Sequence, residues 1–152
     1  MQKGIVLSAL ALGLSAVYVA PAFSQAKPET LVRQRQAAMI LQGKYFGPLN
    51  AMAQGKVPYD ASVVTRNAGY LDVLSRMAWD GFAPSTKGEK SRTLPAVFTD
   101  TAKFKEAQDR FQAEASKLAS MSKSGDEAAV KAQISAVNKT CAACHEDFRE
   151  RQ

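Results

Sequence analysis

The chain has 152 residues, with 20 Lys and Arg against 14 Asp and Glu, a formal net charge of +6. That length suits one ordinary domain and not two. The basic residues are scattered among acids with no run of five or six, which excludes a nucleic-acid footprint and leaves a charge that aids solubility and biases encounter with acidic partners. Both cysteines and the only histidine fall within five consecutive positions, 141–145.

Residues 1–24, MQKGIVLSALALGLSAVYVAPAFS, carry Lys3, an apolar run from about Ile5 to Ala20, and small residues at Ala22 and Ser24. This is the pattern of a secretory signal peptide cleaved near Ser24, with a cut after Ala26 as an alternative. The run is shorter than the roughly 20 residues a membrane-spanning helix needs, so the mature chain, 25–152, is expected to have no membrane span. Removing Lys3 lowers the charge from +6 to +5. The expected location is the periplasm, an oxidising compartment in which two cysteines three apart could also pair with each other.

Pro28 and Glu29 open a first helix, since the proline's missing N–H is harmless at the first helical position. Its face is Leu31, Val32, Arg35, Met39 and Phe46. Gly47-Pro48 is expected to end or kink it, with Leu49 to Gln54 continuing on a bent axis. Gly55 to Tyr59 reads as a connection and Asp60 as the N-cap of a second helix with Val64, Ala68, Leu71, Leu74 and Ala78 on one face.

Residues 81–98, GFAPSTKGEKSRTLPAVF, read as a loop, and loops this long in a compact domain are usually functional or cover something. Thr99 or Asp100 caps a third helix with Phe104, Ala107, Phe111, Ala115 and Leu118 on one face. Ser124 and Glu127 form a capping box that opens a fourth, with Val130, Ile134, Val137, Cys141, Cys144 and Phe148. No segment alternates with a period of two. The fold class is therefore all-α, an antiparallel four-helix bundle. Many face positions are alanine, which buries little area, so something larger than side chains could fill the interior.

The stretch Thr140-Cys-Ala-Ala-Cys-His-Glu146 places Cys141, Cys144 and His145 at i, i+3 and i+4, on one helical face. This is the motif of c-type haem attachment, in which two thiols add to the haem vinyl groups and the histidine binds iron. Zinc would need further ligands from carboxylates. A redox CxxC expects a strand-helix-strand setting that is absent, and a plain disulfide leaves the histidine without a role. Haem attachment agrees with export, helical context and the sole histidine together.

A bundle ending in CAACHEDFRERQ resembles the class II cytochromes c, and within them the cytochrome c prime family. AKPETLVRQRQAAM at 26–39, AMAQGKVPYDA at 51–61 and GFAPST at 81–86 carry the resemblance through the rest of the mature chain. It implies haem c on Cys141 and Cys144, iron on His145, propionates beside Arg35 and Gln36, and a basic residue, Arg149, near the proximal face. Without the resemblance, Arg35 is a bundle-face arginine with its head in water and Arg149 a solvated cation favoured by the helix dipole. The family also implies a homodimer through its first two helices.

The resemblance places Met39 at the sixth iron position, with two outcomes. As a ligand, methionine opposite histidine raises the reduction potential and makes the protein an electron carrier serving transient redox partner proteins. As a lid, it leaves the iron five-coordinate in a dry pocket of Leu31, Met39 and Phe46 with no evident donor, suited to nitric oxide or carbon monoxide. Lysines and arginines at 131, 139, 149 and 151 alternate with acids at 146, 147 and 150, which suits a weak encounter. Neither outcome supplies a general acid, base or nucleophile, so no substrate-transforming enzyme is expected. Trp79 and Phe82 read as core, with the haem edge as their second possibility.

Overall fold

The computed structural model describes residues 26–151, so the signal peptide assigned to 1–24 lies outside the described residues. Four long helices make a bundle: α1 (Pro28–Ala53), α2 (Ala61–Leu74), α4 (Thr101–Met121) and α5 (Glu127–Phe148). Between α2 and α4 run two 3-10 turns, Trp79–Phe82 and Pro84–Thr86, and the short helix α3, Ala96–Thr99. Helices α1 and α4 each pack against both α2 and α5, which closes the four into a ring. Among the described residues the only β pairing is an isolated bridge between Thr93 and Arg149.

Helix α1 does not end at Gly47-Pro48 but runs through it to Ala53. Gly47 has no Cβ to clash with the proline ring, and Leu49 and Met52 beyond it are buried, so packing outweighs the hydrogen bond Pro48 cannot make. The helix stops at Gly55, whose φ of 69° is readily reached only without a Cβ. There Gly55 N–H donates to Met52 O at 3.1 Å and Lys56 N–H to Ala51 O at 2.9 Å, the paired bonds of a Schellman end.

Asp60 caps α2, its carboxylate accepting from Ser62 N–H at 2.9 Å and Val63 N–H at 3.1 Å. Asp100 caps α4 through Lys103 N–H. The capping box expected from Ser124 does not form. Asp126 is the N-cap of α5 and accepts from Ala129 N–H at 3.1 Å, two residues later than the Ser-x-x-Glu pattern indicates. Gly125 is held so close to Met121 O and Val130 that a Cβ would lie 2.5 Å from the carbonyl, so the chain passes only as glycine.

The apolar core occupies one end of the bundle. It joins the C-terminal part of α1 (Leu49, Met52), the start of α2 (Val64, Ala68, Leu71), the C-terminal half of α4 (Phe111, Ala115, Leu118) and the first half of α5 (Val130, Ile134, Val137). The start of α1, the α2–α4 connection, the start of α4 and the end of α5 enclose open space instead.

Candidate functional site

Helix α5 stays regular to Phe148, so Cys141, Cys144 and His145 share one face as their spacing requires. Cys141 packs against the core, while Cys144 and His145 are half-buried, and both thiols are free. Burial, with Cys144 adding to it, pushes the Cys141 thiol up to about 11. Burial and then Asp147 also raise Cys144. Both are neutral thiols at neutral pH, unlike the low-pKa thiolates of redox-exchange sites. Burial, then Arg149 and Arg92, hold the His145 imidazole below its ordinary value, which favours the neutral ring a metal requires.

Two cavities meet at this face. The first, about 460 Å³, is lined by Arg35, Gln36, Met39, Cys144, His145 and Arg149 together with an aromatic wall. The second, about 270 Å³, is lined by Met39, Gln42, Phe46, Leu71, Cys141, Cys144, His145 and Arg149. All seven residues singled out in the sequence therefore border one or both. Leu31 lines neither, and its carbonyl lies against Gly81 instead. Trp79 and Phe82 are cavity wall, although Trp79 also touches the core. They join Phe104 and Phe148 in a chain of rings, with Phe82 to Phe104 at 5.0 Å and Phe104 to Phe148 at 5.1 Å, mostly edge to face.

Arg35 is 3% exposed, and its head is not in water. Its guanidinium donates to Gly81 O, to Ser91 Oγ at 2.8 Å, to Thr93 Oγ1 at 2.9 Å and to Thr86 Oγ1 at 3.3 Å, and it lies 4.6 Å from the Phe82 ring centroid. A Cβ at Gly81 would collide with Arg35, which is why the loop turns there on glycine. The far end of the loop is tied to the end of α5, with Leu94 N–H donating to Phe148 O at 3.0 Å and Glu150 N–H to Arg92 O at 2.9 Å. The loop thus bridges α1 and α5 across the mouth of the first cavity and brings in Arg92, which periodicity could not flag because it lies in no helix.

The acceptors around Arg35 are all neutral, so its buried charge has no counterion of its own, a costly arrangement unless an anion completes it. Arg92 and Arg149 face the same cavity and no carboxylate lines it. The donor set fits a flat apolar group with anionic substituents, held by two neutral thiols and one neutral imidazole. Among the described residues no three His, Cys, Asp or Glu side chains converge as ligands for a bare metal ion. Fold and site define a helical-bundle haem protein of the c type.

The model of one family, described as cytochrome C', matches residues 30–149. A cytochrome c' of Rhodocyclus tenuis is 51% identical over 131 residues, 83% of this chain and 98% of that one. The crystal structure of cytochrome c' from Rubrivivax gelatinosus superposes with a TM-score of 0.77 at 40% identity, covering 82% of this chain and 98% of the other. Variants of the Alcaligenes xylosoxidans protein with bound ligand are also similar: one nitric oxide complex at 34% identity and TM-score 0.77, covering 85% and 100% of the two chains, and one carbon monoxide complex at 35% and 0.76, covering 83% and 98%. The chain belongs to the cytochrome c' family, and its cofactor is covalent haem c with iron.

Proposed function

We propose that the mature chain, 25–152, is a single-domain periplasmic monohaem cytochrome that carries electrons, with Cys141 and Cys144 holding haem c and His145 binding its iron. The observation that carries this is the convergence of two neutral thiols, a neutral imidazole and Met39 on the second cavity, next to a first cavity lined by three arginines and, among the described residues, no acid. The cofactor would supply a one-electron iron with an axial position beyond His145. Arg35, Arg92 and Arg149 would compensate the propionates, with Gln36 at the exposed rim. The aromatic wall would shield the haem from water, and Met39 would face it from α1.

A second function, binding of nitric oxide or carbon monoxide, is favoured by the apolar second cavity and by the gas complexes of the Alcaligenes xylosoxidans variants. It requires Met39 to act as a lid and not as a ligand.

Electron transfer needs a partner at the haem edge. A third concavity of about 230 Å³ runs from Cys144 between α4 and α5 and is lined by Lys103, Arg110, Lys139 and Asp147; Lys103 pairs with Asp147 and Arg110 with Glu106, a mixed surface that suits a transient charged partner. Tyr70, Val73 and Met77 of α2 and the segment after it are exposed, as is Ile40 of α1 at the edge of the first cavity, and they support a homodimer through the first two helices. Among the described residues no helix is long and apolar enough to cross a membrane.

The deciding experiment is the visible spectrum of the ferrous haem-loaded protein with and without carbon monoxide. Low-spin bands that resist carbon monoxide, and yield to it in Met39→Ala, make Met39 the sixth ligand and the protein an electron carrier. A high-spin spectrum that shifts promptly makes Met39 a lid and adds gas binding. Colourless protein with its two thiols in a disulfide would sink the cytochrome assignment.

A further inference from the structure

The wall that α1 presents to the second cavity consists of Met39, Gln42, Gly43 and Phe46, and only Gln42 is polar. Gln42 follows Met39 by one helical turn, so both emerge on the same face. It is 9% exposed, buried far more deeply than a glutamine usually is. Its amide Nε2 donates to Leu74 O at 2.9 Å, a carbonyl at the end of α2 that also accepts from Met77 N–H at 3.1 Å. That bond fixes which end of the amide faces away from the cavity.

The Oε1 end accepts no hydrogen bond from a described residue. No fully buried side-chain oxygen or nitrogen among the described residues lacks a partner, so this oxygen keeps accessible surface, on a residue that lines the second cavity. The neighbouring donors are used elsewhere: Trp79 Nε1 donates to Ser75 O at 2.6 Å and Thr140 Oγ1 to Val137 O at 2.8 Å. The Met39 side of the cavity therefore offers one hydrogen-bond acceptor and no free donor.

We infer that Gln42 is a specificity-determining residue whose side-chain carbonyl gives small neutral ligands bearing an N–H or O–H a hydrogen bond that nitric oxide and carbon monoxide do not make. The inference rests on the haem assignment above. A protic ligand gains a hydrogen bond at this oxygen, whereas nitric oxide or carbon monoxide does not.

The test uses the haem-loaded protein and its Met39→Ala form, in which the axial position is open whatever Met39 does. Gln42→Leu and the volume-preserving Gln42→Met are compared with the parent for ammonia binding to the ferric state and carbon monoxide binding to the ferrous state. The expected result is ammonia affinity about tenfold lower in both variants, with carbon monoxide affinity unchanged or higher. A residue that only caps α2 would lower thermal stability without moving the ratio of the two affinities. Equal shifts for both ligands, or unchanged ammonia affinity in variants that keep the parent's unliganded spectrum, would overturn the inference and leave the haem assignment standing. Absence of covalent haem in the parent protein would overturn both.

Discussion

Arg35 concentrates the chemistry of the site in one side chain. Four neutral acceptors from the loop fix its orientation, and its charge is left for an anion in the cavity. Arg35→Met is expected to lower the stability of the haem-loaded protein by about 2 kcal/mol in urea unfolding, because the Gly81 carbonyl and the loop hydroxyls lose their donor. Arg35→Lys should recover less than half of that, since an ammonium cannot reach acceptors spread around a planar fork. That Arg35 belonged to the site was legible in the sequence from the family resemblance. Its burial was not, because a 3.6-residue period marks the side of a helix and cannot tell which loop lies over it. Gln42 escaped notice for the same reason: a glutamine beside Leu41 on an otherwise mixed helix looks like surface until α2 and α5 are packed around it.

The helices were legible almost throughout, and the discrepancies lie at their ends. Hydrophobic spacing locates a helix interior, but caps are chosen by local backbone geometry, and both Ser124 and Asp126 are good capping residues in sequence. Asp126→Ala should cost about 1 kcal/mol in thermal or urea unfolding, whereas Ser124→Ala should change stability by less than about 0.5 kcal/mol. At α2 the Ser62 hydroxyl, and then the Val63 N–H, hold the Asp60 carboxyl below its ordinary value of 3.8. The folded state thus favours the charged form, so this contribution is complete above the ordinary carboxylate range and is lost as pH falls below 3.8 toward the lowered folded value. Asp60→Asn, which keeps an acceptor but cannot titrate, should flatten that part of the acid-unfolding profile measured by circular dichroism. The passage of α1 through Pro48 likewise depended on tertiary burial, since only the packed core makes Leu49 and Met52 worth keeping helical.

Across the whole molecule, core and cavity divide the bundle end from end: of the face alanines noted in the sequence, Ala68 and Ala115 pack in the core while Ala107 lines the second cavity. The outer faces of α1 and α2 carry their own expectation. In the proposed homodimer, Val73→Asp, on a residue 61% exposed, should shift the protein to monomer in analytical ultracentrifugation without changing its visible spectrum. The sequence by itself determined the all-α class, the four long helices and the attachment motif, because periodicity, capping residues and the CxxCH spacing act within a few residues of one another. Only the tertiary structure decided that the loop ties α1 to α5 through Arg35, that Arg92 joins Arg149 at the cavity mouth, and that Gln42 is buried beside the second cavity with its amide tied to Leu74. Each of those depends on segments tens of residues apart meeting in space, and no local pattern records where such a meeting falls.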